Sequence, residues 1–143
     1  MITANQKRKN NPQSIILALV ITVFIIFSSV FLMKSISVET LEDSIKIKGL
    51  YETEVQYKDI EEIKEIDSMP LWGLKTNGIN LGFMNIGMFT YKELGKVRLF
   101  ELKKEKPYVL IVSKTEKILL GLGKVKNEEI YRIVEEKIKN IQK

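Results

Sequence analysis

The chain has no cysteine and no histidine among its 143 residues, and only three prolines and one tryptophan. Without Cys there is no disulfide framework, thiol nucleophile or thiolate ligand; without His there is no imidazole base for a triad and no zinc site of the usual Cys/His kind. Carboxylates, lysines and hydroxyls are what remains, and no catalytic, cofactor or metal site is expected. A broad field of one charge is missing too. The net charge of +5 is concentrated at one end, where Lys7, Arg8, Lys9 and Lys34 face Glu39 alone, and the rest is near neutral. Nucleic acid is therefore not expected as a partner, because the basic footprint it requires is absent. A chain this short holds one small domain and one appendage.

What is present is one long apolar run. Ile15 to Met33 is 19 residues without a charge, Pro or Gly, roughly 28 Å of helix and close to the hydrocarbon thickness of a bilayer. A helix apolar on every face would need a larger soluble shell than the remaining residues provide. The reading is a basic leader over 1–13 and a transmembrane helix over 14–34, with Ile15, Leu19, Phe24, Phe27 and Phe31 as anchor residues in the lipid bilayer. A cleaved signal peptide is the rival, with Lys7-Arg8-Lys9 as its charged start. The run is too long for one, and SSVFLMKS after it offers no Ala-x-Ala-like site. Clustered leader cations, set against Glu39, Glu42 and Asp43 on the other flank, favour a single-pass protein of the cell membrane with a cytoplasmic amino terminus and an extracytoplasmic domain. Ala18, Thr22 and Ser29 share a face at spacings that permit close helix approach, a pattern common enough by chance that self-association is not the favoured expectation.

Residues 35–43 read as a polar connector and 44–143 as the domain. Ser44-Ile45-Lys46-Ile47-Lys48 and Tyr51 to Tyr57 alternate with period two around Gly49-Leu50, which predicts a hairpin with a tight turn. Ile60, Ile63 and Ile66 recur at three, as a strand or a helical turn. Residues 67–95 are rich in Gly and turn pairs, Asn77-Gly78 among them. Strands are predicted over Lys96 to Leu102, Tyr108 to Ser113 and Lys117 to Leu122, the second apolar enough to be covered on both faces. A closing helix is predicted with Asn127 as N-cap, Glu128 and Glu129 in its first turn, and an apolar stripe of Ile130, Ile133, Val134, Ile138 and Ile141.

The expected fold class is thus one N-terminal transmembrane helix plus a mainly β (α+β) domain. Its seven or so short antiparallel strands would form a barrel or two packed sheets capped by a C-terminal α-helix. The succession SIKIKGLYETEVQYKDIEEI, LKTNGINLGF, Gly87-Met88-Phe89, Gly95-Lys96-Val97-Arg98-Leu99 and PYVLIVSKTEKILLGLG, then the helix, resembles the bacterial pleckstrin-homology (PH-like) domains of small membrane proteins. It covers Ile45 to Ile141. The resemblance implies a PH-like fold and an interaction role, and carries no catalytic signature. Such proteins often have two spans before the domain; this sequence has one.

Gly121-Leu122-Gly123-Lys124 is not a phosphate loop, because Ile118 and Val125 occupy positions that need Gly and Ser/Thr; a strand-to-helix turn is expected. Asp59, Glu61, Glu62, Glu65 and Asp67 lack the spacing of a Ca²⁺ loop and read as an exposed edge. Phosphoinositide-binding PH domains place a basic cluster on the first two strands, and here Lys46, Lys48 and Lys58 are interrupted by Glu52 and Glu54, so phosphoinositide is not expected. Lys103, Lys104 and Lys106, read as a hairpin tip, are candidates for contact with anionic lipid headgroups or a partner, as is Trp72 if it is exposed rather than packed in the core. The expectation is a membrane-anchored interaction module without catalytic activity, binding membrane or envelope proteins, with a lipid- or small-ligand-binding domain as the alternative.

Overall fold

The computed structural model describes residues 11–70 and 73–141. The leader cluster Lys7, Arg8 and Lys9, and Trp72, lie outside the described residues. The chain divides into two compact units, Met1–Lys34 and Ser35–Lys143.

Helix α1, Pro12–Ser35, 24 residues and about 36 Å long, lies in the first unit except for its last residue. Its stretch Pro12–Phe31 has a mean hydropathy of 2.8, long and apolar enough by composition to cross a membrane. Pro12 stands at its first position, where a missing N–H costs nothing. The polar side chains inside it are satisfied locally: Thr22 Oγ1 donates to the Ala18 carbonyl at 2.9 Å and Ser29 Oγ to that of Ile25 at 2.8 Å.

The second unit has nine strands in two sheets. β1 (Ser37–Thr40), β2 (Ser44–Lys48) and β3 (Thr53–Gln56) form a three-stranded antiparallel sheet in that order. A 3-10 turn, Tyr57–Asp59, leads to β4 (Ile60–Ile66), then β5 (Gly73–Asn80), β6 (Asn85–Tyr91), β7 (Gly95–Glu101), β8 (Tyr108–Ser113) and β9 (Lys117–Gly121). These six form one sheet in the order β4-β8-β9-β7-β6-β5. Helix α2, Lys124–Ile141, closes the fold against β4, β8, β9 and the 3-10 turn.

Period-two alternation assigns each strand residue to a face. In the small sheet Ile45 pairs with Val55, and both are buried with Ile47. In the large sheet Ile86 pairs with Phe100, Phe100 with Leu120, Leu120 with Val109, and Ile111 with Ile118, all buried. These rows, with Tyr57, Ile130 and Val134, make the main core. The opposite face of the large sheet carries a second buried cluster, Phe89, Tyr91, Val97, Leu99, Tyr108, Leu110 and Leu119. β8 is therefore covered on both faces, as its continuous apolar sequence predicts.

Five expectations are corrected. The connector 35–43 contains β1, whose polar Ser-Val-Glu-Thr is held as a strand by pairing with β2 from Ser37↔Lys48 to Thr40↔Ile45. The strands number nine rather than seven, and β7 pairs with β9 in parallel, so the sheet is not wholly antiparallel. The Gly49-Leu50 turn is longer, closed by Glu52 N–H on the Gly49 carbonyl at 3.1 Å. Asn77-Gly78 lies inside β5 beside a bulge, and the turn to β6 comes later, where Leu81 N–H donates to the Met84 carbonyl at 2.9 Å. Gly78 suits the strand because it faces Gly87 across the pair, and a Cβ there would stand 2.9 Å from the Gly87 Cα. Finally, α2 starts at Lys124, so Asn127 is no cap: it lies inside the first turn and is fully buried. Of the predicted stripe, Ile130 and Val134 are buried and Ile133 and Ile138 half-buried.

Candidate functional site

The anchor residues Ile15, Leu19, Phe24, Phe27 and Phe31 are all exposed on α1, and the equally exposed Leu17, Ile21 and Ile25 make the remaining faces apolar as well. An amphipathic surface helix would segregate them. The hydroxyls of the Ala18, Thr22 and Ser29 face are already bonded within α1.

Lys103, Lys104 and Lys106 do not form a hairpin tip. β7 and β8 are not neighbours, because β9 lies between them, and residues 102–107 cross over the end of that strand. The amides of Leu102 and Lys103 both donate to the Gly121 carbonyl at 2.8 and 2.9 Å, pinning the crossover there. The consequence is a regrouping of charge. Lys103 lines a shallow cleft of about 400 Å³ with Lys124, Val125 and Lys126 at the start of α2, whereas Lys104 lines a different cleft and Lys106 is exposed beside neither. Val125 is 78% exposed between two lysines, an apolar tip in a cationic rim. Nothing in the sequence joins Lys103 to Lys124 and Lys126; the crossover does. Glu105 tempers the patch, its carboxylate accepting from the Lys124 backbone N–H at 3.3 Å, where the amino end of a helix favours an anion. Gly123, at φ 106°, leaves room for this arrangement, since a Cβ would press on Lys103 Cδ at 3.0 Å and Glu105 Oε2 at 3.2 Å.

At the β2–β3 loop the cations are already engaged. Lys46 lies 3.0 Å from Glu52 and 3.8 Å from Glu54, and Lys48 lies 2.6 Å from Glu39. The hydrogen bond to Glu52 holds the Lys46 ammonium above its ordinary pKa. Arg98, nearby, donates through Nε to Glu116 at 2.7 Å and through Nη1 to the Tyr51 carbonyl at 3.2 Å, while Thr53 Oγ1 donates to the same Glu116. This network ties the edge of the small sheet to β7 and the β8–β9 turn. Its cation is therefore spent on structure. Asp59, Glu61, Glu62, Glu65 and Asp67 lie along or beside β4, an edge strand of the large sheet, mostly exposed, and no group of three metal-ligating side chains occurs among the described residues.

A strand-rich sandwich with a C-terminal helix set against one sheet suits more than one family. A sequence model described as "bacterial PH domain" matches residues 36–139. The chain belongs to the bacterial PH domain family. The match begins one residue before β1 and so includes the strand that the sequence disguises as a connector. None of the curated proteins or solved structures compared with the chain matches it. PH domains are interaction modules for proteins or lipids and are generally non-catalytic, which directs attention in this bacterial PH domain to surfaces rather than to a reaction centre.

Proposed function

We propose that the chain is a single-pass membrane-anchored interaction module, not an enzyme, whose bacterial PH domain binds other membrane or envelope proteins. The observation that carries this reading is the joining of a 20-residue span of mean hydropathy 2.8 to a PH domain, with Ile36 alone between α1 and β1. An inserted α1 confines the domain to the neighbourhood of the bilayer, and confinement raises the effective concentration of a weak binder against its membrane partners. The domain lies outside the cytoplasm on this reading, because clustered leader cations resist translocation.

A second reading, contact with lipid headgroups, is favoured by Val125 exposed between Lys124 and Lys126, since an apolar tip in a basic rim suits an anionic interface. One experiment separates the two. A photo-crosslinking residue at Val125 of the full chain, in its native membrane, should give a protein adduct of discrete mass that weakens when Lys124 and Lys126 are changed to Glu. Lipid adducts alone would favour the second reading, and release of the chain from membranes by alkaline carbonate would overturn both.

Sidedness has its own test. A Cys at the exposed Lys104 should react with a membrane-impermeant thiol reagent in intact cells, and changing Lys7, Arg8 and Lys9 to Gln should reduce that labelling. Labelling only after lysis would put the domain in the cytoplasm.

A further inference from the structure

β4 and β5 are the opposite edges of the six-stranded sheet, yet residues 67–72 join them directly. Met69 and Pro70 of that link border a cleft of about 350 Å³ with Gly73 and Tyr91 at one end of the β5–β6 pair, Asn80 and Asn85 at the other, and Tyr108 of β8. Clefts with apolar walls and a few convergent polar groups are ordinary places for ligands.

The polar groups here are incomplete. Val97, Leu99 and Glu101 alternate onto the same face, so a carboxylate ends an otherwise apolar row. Glu101 is only 3% exposed, and among the described residues no Lys or Arg nitrogen lies within 4 Å of it. Its neighbour Asn85 donates to it through Nδ2, which leaves Asn85 Oδ1 buried with no donor of its own. Both defects ask for the same remedy, because a buried carboxylate needs a cation and an orphaned carbonyl needs an N–H. The walls are aromatic. Phe89 and Tyr91 stack with centroids 6.4 Å apart, and Tyr108 lies over Gly121, where a Cβ would meet its ring at 2.9 Å. Burial, then the Glu101 charge, pushes the Tyr91 phenol up to about 12; burial, the Glu101 charge and a hydrogen bond to Glu101 raise that of Tyr108, so both rings remain neutral and Glu101 still lacks a cation. Lys104, exposed at the border, is the single cation lining the cleft among the described residues.

We propose that this cleft binds a compact organic cation bearing N–H donors, an alkylammonium or guanidinium group, with its charge on Glu101, an N–H on Asn85 Oδ1 and its apolar part on the rings of Phe89, Tyr91 and Tyr108. Charge-assisted hydrogen bonding and cation–π attraction act together in such a place. A hard metal ion is a poorer fit, since it wants six or more oxygens and the cleft offers one carboxylate among aromatic walls. The cation is either a free amine or a basic side chain of a partner protein, and the site stands whether or not α1 crosses a membrane.

The test is calorimetric titration of the full chain in detergent micelles with 1,4-diaminobutane, its neutral analogue 1,4-butanediol, and a short peptide ending in Arg. The diamine or the peptide should bind and the diol should not. Glu101→Gln should weaken cation binding by about tenfold or more, while Lys104→Gln, which removes a like charge from the rim, should tighten it. Tighter binding of the free diamine identifies a small-molecule amine; tighter binding of the peptide identifies a partner's side chain. A melting curve for Glu101→Gln shows whether that variant is folded, and if it is not, the diol comparison and Lys104→Gln still decide. No binding of either cation at about 10 mM, equal binding of the diol, or weaker binding in Lys104→Gln overturns the proposal.

Discussion

Asn127 closes on Leu122: its Oδ1 accepts the Leu122 backbone N–H at 3.0 Å, so a helix side chain terminates the turn that delivers the helix. Its Nδ2 donates to the Pro107 carbonyl at 2.8 Å, and one fully buried amide thus fastens the end of β9, the start of β8 and the first turn of α2. Asn127→Ala orphans a donor and an acceptor in the interior and should cost about 1–3 kcal/mol, read as a lowered denaturant midpoint. A variant that keeps the wild-type midpoint would show that the contact is dispensable.

Ile130 is 4% exposed and packed under α2, whereas Arg132 is exposed on its outer side. Ile130→Ala should lose about 2–5 kcal/mol and Arg132→Ala about 0.5 kcal/mol or less. Ile138→Ala should fall between them, its side chain being half-buried. Equal losses in chemical denaturation would contradict the packing of α2.

Tyr91 supplies a pH dependence. Its pKa is raised from 10.0 to about 12 by burial and the Glu101 charge, so the folded state holds this proton more tightly than the unfolded chain. The associated stability is fully present below pH 10 and is lost as pH rises from 10 toward 12. Stability should fall across that window, and Tyr91→Phe should flatten the fall. An unchanged slope in Tyr91→Phe would assign the alkaline loss elsewhere.

For α1, Phe24→Arg near the middle of the apolar stretch should cost about 2.5–3.5 kcal/mol of insertion free energy, measured as the inserted fraction in a translocon assay. Undiminished insertion would remove the anchor from the functional proposal.

The elements legible in the sequence are those whose signal is local. α1 announces itself by an unbroken apolar run, β8 by Tyr-Val-Leu-Ile-Val, and α2 by Ile130 and Val134 at helical spacing. The illegible ones depend on a partner distant in the chain. β1 has little strand character of its own and exists because Val38 lies opposite Ile47. Asn77-Gly78 has the chemistry of a turn, but the glycine is needed for close approach to Gly87. The candidate surfaces divide the same way. Lys103 stands out as part of a basic run, while its companions Lys124 and Lys126 become neighbours only through the β7–β8 crossover. Glu101 did carry a signal, since strand parity puts it in line with Val97 and Leu99, but parity alone does not show that Asn85 Oδ1 beside it lacks a donor.

The place of β9 also governs how the domain is made. It follows β4 to β8 in the chain, yet it sits between β8 and β7, with Leu119 opposite both Leu110 and Leu99. Until Gly121 has left the ribosome the large sheet exists only as two fragments, β4 with β8 and β5 with β6 and β7, each exposing an open edge. Strand insertion of this kind makes closure of the sheet a late event, since β9 must pair both with its hairpin neighbour β8 and with β7 on its other side. A chain stopped short of Lys117 would present two sticky half-sheets to its surroundings, whereas a chain carried through Gly121 seals both edges at once.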